Sequence, residues 1–299
     1  MGLKYNILYI LYMASISEGN SHIKKAISNA LLLDEGCLIG RNGQIELGLI
    51  INAYSPELTK MKILETNAGI FPCSYLFDKW KQDTIKATRA ADVLVTGWYE
   101  PLRQAESEFL KKLAITAKQI PLRSLEPYYV SEEEQWTHLL DGHDVAVVSS
   151  FTQSAKEQLK KNPSDIWGSR GVLPKDVKWH WVQTGHPKII ARGRNEWPAN
   201  INDWKEAVNY VVSEVVETGA RIALIGCGGL GMPIAKMLKE RGIIAIVLGG
   251  AIQVLFGIKG RRWETHPVIS KFWNGSWVWP HMNETPGAAS TIEGGCYWA

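Results

Sequence analysis

The chain has 299 residues and a mass of 33.4 kDa, enough for one large α/β domain or two smaller ones. Its 33 basic and 30 acidic residues give a formal net charge of +3, which excludes the cationic bias of a general nucleic-acid or anionic-membrane binder. The 4 cysteines, at positions 37, 73, 227 and 296, show no metal-ligand spacing, which argues against a zinc site and for a reducing compartment.

Along the chain, Tyr5 to Met13 is apolar over about nine residues, short of the roughly 20 that a membrane span needs. It reads as an early core element, and the absence of a clean cleavage site speaks against a secretory signal. A helix is expected from Gly19 to Leu32. Gly36 to Ile39 then reads as a short buried strand, followed by an Asn42-Gly43 turn and a helix start carrying Glu46. Glu65 to Pro72 is expected as loop, Ser74 to Ala90 as helix, and Asp92 to Thr96 as strand. Glu106 to Lys118 reads as helix and Pro121 to Tyr129 as a strand or loop.

Asp144 to Ser150 is a second buried strand running into a helix, Thr152 to Lys161. Asn162 to Pro174 reads as loop, Val177 to Thr184 as strand, Gly185 to Pro198 as a polar connection, and Trp204 to Glu217 as helix. Of the seven histidines, only His180 and His186 stand at modest separation; structural or surface roles are expected of both. Strands alternating with helices predict an α/β fold, Rossmann-like, with a mostly parallel sheet and helices on both faces. Without repeats or a low-complexity linker, the chain reads as a single domain. Its N-terminal lobe covers about 1–135, and its C-terminal, nucleotide-binding lobe about 136–299.

The most informative stretch is Gly226-Cys227-Gly228-Gly229-Leu230-Gly231, with the apolar run Arg221 to Ile225 before it and an amphipathic helix, Ile234 to Arg241, after it. A strand, a tight glycine turn and a helix N-terminus suit an anion, because the first amides of a helix lack internal partners. Gly226, Gly228 and Gly231 fit the dinucleotide fingerprint. That fingerprint also wants an acid at the end of the next strand. The next strand, Ile243 to Leu248, ends in Gly249-Gly250-Ala251. An NAD(P)-type oxidoreductase therefore stays open as an alternative, as does a purely packing role for the glycines. Lys259, Arg261, Arg262 and Trp263 follow; they read either as a solvated turn or as phosphate-recognising cations. The 13 tryptophans suit ring platforms along a cleft, or core bulk. From Glu264 onward the chain is rich in Trp, Gly and Pro and is expected to wrap the sheet edge and close a pocket.

Five segments occur in order: Gly40 to Glu46, Asn67 to Pro72, Gly226 to Pro233, Leu248 to Trp263, and Glu293 to Trp298. Together they resemble glycosyltransferases with the GT-D-type fold, found in bacterial polysaccharide loci and some large viruses. The resemblance spans about residues 36 to 298, and 248–263 is its most specific part. It implies transfer of a sugar from a nucleotide-sugar donor, a UDP-sugar first, to a hydroxyl of a glycan acceptor. It also implies an Asp-x-Glu motif at the donor and its metal. Here that stretch is Gln44-Ile45-Glu46, and an amide is a poor ligand for a hard divalent cation. Metal dependence is thus in doubt, and no metal ligand is assigned.

Glycosyl transfer needs positive groups at the departing phosphate and a carboxylate near the acceptor hydroxyl. Glu46 is the first candidate base, with Asp92 and Glu293 behind it. Each also has a plain reading: a helix-start acid, a strand-entry cap and a surface-turn acid. Candidate donor contacts are Gly43, Gly228, Gly229, Gly231 and Gly250 on the backbone side. Ser149, Gln253, Lys259, Arg262 and Trp263 are the side-chain candidates. Asn67 either holds a sugar hydroxyl or organises its own turn. The location expected for such an enzyme is the cytoplasm, with no nucleic-acid partner and no integral membrane association. A non-catalytic nucleotide- or glycan-binding protein is the remaining alternative.

Overall fold

The computed structural model describes the backbone of residues 2–53, 57–71 and 77–299, and the side chains of 12–53, 62–71 and 77–299. The first part of the chain runs α1 (Gly2–Leu33), β1 (Cys37–Arg41), α2 (Gln44–Ile50), α3 (Glu57–Thr66), α4 (Phe77–Ala90), β2 (Val93–Val95), α5 (Arg103–Lys112), β3 (Lys118–Ile120) and α6 (Leu122–Leu125). The second part runs β4 (Asp144–Ser149), α7 (Thr152–Gln158), α8 (Pro163–Trp167), β5 (Lys178–Gln183), α9 (Lys188–Ala191), α10 (Trp204–Glu217), β6 (Ile222–Gly226), α11 (Gly231–Lys239), β7 (Ile244–Val247) and α12 (Ala251–Leu255). Short 3-10 turns carry the chain from there to residue 299.

All seven strands pair in parallel in one sheet, in the order β3-β2-β1-β7-β6-β4-β5. The sequence explains why both faces are covered. Ile222, Ala223, Leu224 and Ile225 are all fully buried, so successive side chains on both faces need a packing layer. Val145, Val147, Leu224, Ile244 and Ile246 pack with α1, α12 and the C-terminal segment. Ala146, Ala223 and Ala245 stand side by side on the opposite face, and α10 and α11 pack over that face. A row of single methyl groups lets those helices approach closely. Helix α10 buries Trp204, Val208, Val211, Val212 and Val215, a helical stripe facing the sheet. Asp203 caps it by accepting from the Glu206 amide at 2.8 Å, a contact worth about 1 kcal/mol.

The polypeptide leaves β1 and β6 toward the α10–α11 face, into α2 and α11, but leaves the strand between them, β7, toward the other face, into α12. Chain departing in opposite directions from neighbouring strands opens a crevice beyond their carboxyl ends. That is where the site lies.

Several elements differ from the sequence expectation. The expected helix over 106–118 ends at Lys112, because Ala114 turns left-handed (φ 51°), and Lys118–Ile120 joins the sheet edge as β3. Pro121 to Tyr129 is neither strand nor open loop: Pro121 caps α6, and Pro127 starts a 3-10 turn. The expected loop 162–174 contains α8, started by Pro163 and capped by the Asn162 side chain. Lys188–Ala191 forms one helical turn within the expected polar connection. The C-terminal segment covers a face of the sheet rather than its edge. Most of the apolar stretch Tyr5 to Met13, and Pro72, lie outside the residues whose side chains are described. Among the described residues no helix is long and apolar enough to cross a membrane.

Candidate active site

A cavity of about 930 Å³ fills the crevice, within the usual range of small-molecule sites. Every strand feeds it at its carboxyl end. Arg41 stands at the end of β1, Trp98 beyond β2, Pro121 beyond β3, Ser150 beyond β4, His186 beyond β5, Gly228 beyond β6 and Gly250 beyond β7.

Glu46 sits in the first turn of α2 and is 9% exposed. Its carboxylate folds back toward Gly43, where a Cβ would collide with it, and toward its own backbone amide. Gly43 has an ordinary φ of −67°, so glycine is required here by closeness and not by backbone conformation. Burial pushes the Glu46 carboxyl up to about 7. The backbone hydrogen bond opposes that shift, Glu293 reinforces it and Arg41 weakens it.

The cations stand around the turn after β7. Gly249 is left-handed (φ 58°), and the direction of its absent Cβ points at the Arg41 guanidinium, 3.4 Å away. The corresponding direction at Gly250 meets Tyr297 at 3.2 Å and Arg262 at 3.4 Å. Arg41 stacks over the Trp98 ring at 4.7 Å and makes no salt bridge among the described residues. Burial pulls its pKa downward, so its charge is poorly solvated where it stands. Arg262 lies over Tyr297 at 4.8 Å and Trp263 at 5.5 Å, and pairs loosely with Glu293 at 3.7 Å. Glu293, itself left-handed (φ 46°), accepts from the Tyr297 hydroxyl at 3.3 Å. Its amide donates to the Asn67 side-chain oxygen at 3.4 Å, which ties the turn after α3 to the C-terminal segment across the cavity.

The structure thus brings Glu46, Glu293, Gly43, Asn67, Gly228, Gly250, Arg262 and Trp263 to one cavity, and takes the other expected residues elsewhere. Asp92 precedes β2 at the amino end of the sheet, where it accepts from the Leu38 amide at 2.8 Å and pairs with Lys239 at 2.7 Å. It cannot reach the cavity across the length of a strand. Lys259, expected at the phosphate, lies over the Trp273 ring at 5.4 Å, outside the cavity. Arg261 donates to the Gly294 carbonyl at 2.8 Å. Ser149 is buried and turns the chain by accepting from the Phe151 amide at 3.2 Å. Gln253 is also buried; it donates to the Lys259 carbonyl at 3.1 Å and the Tyr297 carbonyl at 2.7 Å, so it fixes the strap that carries Tyr297.

The glycine loop departs furthest from expectation. The Gly229 amide donates to the Ala68 carbonyl at 2.9 Å, the Leu230 amide to Cys227 and the Gly231 amide to Gly228. Trp80 donates its indole N–H to the Gly229 carbonyl at 2.9 Å. The Ala68 carbonyl therefore takes the Gly229 amide that a phosphate would otherwise use. Gly229 and Gly231 are packing glycines: their absent Cβ atoms would lie 3.0 Å from Ala68 and 3.1 Å from Val247.

Sequence reasoning passed over Arg41, Trp98, His186, Trp197 and Tyr297 as site residues, although all five line the cavity. A usable signal was present for three of them. Arg41, Trp98 and His186 each fall at or within three residues of the end of a strand, where parallel sheets place ligand contacts. Trp197 and Tyr297 arrive from long connections, and no local pattern marks them. Compared with family models, curated proteins and solved structures, the chain matches none.

Proposed function

We propose that the chain is a glycosyltransferase that moves a sugar from a nucleotide-sugar donor, with UDP-sugars the first class to try, to a glycan hydroxyl. The observation that carries this reading is the pairing of a buried carboxyl, Glu46, with two guanidinium groups, Arg41 and Arg262, flanking one glycine turn. Half-buried Arg41 makes no salt bridge among the described residues, Glu126 and Glu46 favour its charge from a distance, and Arg offers the planar donor set that phosphate oxygens accept.

In the reaction, the bond between the anomeric carbon and the phosphate oxygen breaks, and the electron pair stays on the phosphate. Arg41 and Arg262 stabilise the charge that builds there. The acceptor oxygen bonds to the anomeric carbon, and its proton passes to ionised Glu46. Glu293, held by Tyr297 and Arg262, keeps the second guanidinium in place.

The residues at the Gln44-Ile45-Glu46 motif do not fit a hard divalent cation. Gln44 offers a neutral amide, and the Glu46 carboxyl is half protonated near neutrality and turned toward its own backbone. No step is routed through a metal. Incubating the chain with UDP-, GDP- and dTDP-sugars, with and without Mn²⁺, tests the reading. Release of nucleoside diphosphate from at least one donor, without a need for Mn²⁺, is the expected result. If no donor is turned over, while NADH protects the chain against heat, the transferase reading fails.

A further inference from the structure

The cavity has a second polar corner, beyond β3, that the proposed chemistry does not use. Arg123 of α6 and His266 of the C-terminal segment both line the cavity there. In sheet order β2 stands between β3 and β1, so the corner lies about two strand spacings, roughly 10 Å, from the strand that carries Arg41. The Arg123 side chain is 26% exposed and His266 is half-buried, so both present surface to an occupant of the cavity.

Each side chain is held in place. One guanidinium nitrogen of Arg123 donates to the Glu126 carboxylate, and the guanidinium carbon lies over the Tyr129 ring at 4.5 Å. The other nitrogen, Nη2, stands 3.2 Å from Nε2 of His266. Across that ring, Nδ1 accepts from the Val268 and Ile269 amides, at 3.2 Å each. Burial and the Arg123 charge hold the His266 pKa down, so the ring is neutral, with one N–H and one acceptor nitrogen. Since Nδ1 is the acceptor, the proton sits on Nε2. Two donors then face each other, and among the described residues neither meets an acceptor. The opposite tautomer only moves the conflict, because an Nδ1 proton would confront two fixed amides.

Such a pair is satisfied by an oxygen placed about 3 Å from both nitrogens. An anionic oxygen serves better than water, because it brings no proton of its own and gains the guanidinium charge. Glu126, 6% exposed beside Arg123, already offsets one positive charge. A singly charged carboxylate is therefore favoured over a doubly charged phosphate. Resting on the transferase reading, we infer that Arg123 and His266 form an acceptor subsite for a carboxylate, so that the accepting glycan carries an acidic sugar. With the diphosphate at Arg41 and Arg262, the separation leaves room for a sugar ring between the two anions.

The test uses the full chain with UDP present and three probes. These are methyl glucuronide, methyl glucoside, which has CH₂OH in place of the carboxylate, and methyl glucoside 6-phosphate. In calorimetric titrations the glucuronide is expected to bind about tenfold tighter than the glucoside. Arg123→Lys keeps a charge for Glu126 but gives up the planar fork. His266→Asn keeps an oxygen for the two amides but loses the Nε2 proton. Each should weaken the glucuronide about fivefold to tenfold and leave UDP affinity unchanged. If Arg123→Lys does not fold, His266→Asn decides alone. Equal binding of glucuronide and glucoside, or a preference that survives both substitutions, overturns the subsite and leaves the corner to water. Tighter binding of the 6-phosphate overturns the choice of a carboxylate. A preference lost in both variants, without turnover of any nucleotide sugar, retains the carboxylate site and removes the transferase reading. Turnover with unaltered KM for an acidic acceptor in both variants does the reverse.

Discussion

On the proposed transferase reading, Glu46 concentrates the chemistry in one side chain. A carboxyl displaced from its ordinary 4.5 to about 7 is protonated over much of the physiological range, and a base has to be ionised. Turnover should therefore rise with pH through about 7 and level off above it; a pH-rate profile measured on kcat/KM checks this. Glu46→Gln should lower kcat by about 10²–10⁴ while leaving nucleotide affinity within a few-fold. Wild-type turnover in that variant would remove Glu46 from the base role. The same displacement has a thermodynamic side. Because the folded-state pKa is raised, the stabilising contribution is complete below 4.5 and is lost as pH rises through about 7. The Gln variant, which does not titrate, should gain on the order of 3 kcal/mol relative to wild type between pH 4 and pH 8. Denaturant titrations at the two pH values would show it, and equal gaps at both would refute the buried-acid account.

Among the elements, the loop after β6 and the turn after β7 explain what the sequence could and could not convey. The strands β1, β4, β6 and β7 were readable because aliphatic runs bounded by glycine have few other uses, and α10 because its apolar stripe and Asp203 cap agree. The anion-binding loop was read from glycine spacing between a strand and a helix, and that pattern says nothing about which acceptor fills the amides. Ala68 fills one of them, from more than 150 positions away in sequence. Lys259 misled for a similar reason: a charge run predicts exposure, but Trp273, itself unremarkable in sequence, decides where the ammonium rests. Conversely, Glu46, Asn67 and Glu293 were named singly and their meeting could not be foreseen, since Asn67 and Glu293 touch only through the closed fold. The tightest junction offers a test. A Cβ on Gly226 would stand 2.5 Å from the Ile252 side chain and 2.7 Å from the Gly249 carbonyl, so the turn carrying both arginine contacts would have to move. Gly226→Ala should cost about 1–3 kcal/mol and weaken UDP binding together with stability. A stable variant with unaltered affinity would mean that the two turns are not coupled.

At the scale of the molecule, the strand pair β1–β7 is the seam between the first and second parts of the chain, with Cys37, Leu38 and Ile39 paired to Ile244, Ala245 and Ile246. Both parts share the cores on either side of that seam. A single cooperative unfolding transition is expected, with coincident curves from circular dichroism and tryptophan fluorescence. Two separated transitions would show that the lobes fold independently.

The Ala68 carbonyl seated against Gly229 has a further bearing on how strongly the chain responds to its ionic surroundings. Had main-chain amides cradled the diphosphate, the attraction would be short-range and nearly indifferent to electrolyte. On the proposed transferase reading, recruitment falls instead to guanidinium groups, and the Arg262 side chain is 38% exposed, open to shielding by dissolved ions. A roughly tenfold rise in sodium chloride should accordingly loosen the grip on UDP several-fold, as calorimetric titration would reveal, whereas a salt-independent Kd would return the duty to the backbone.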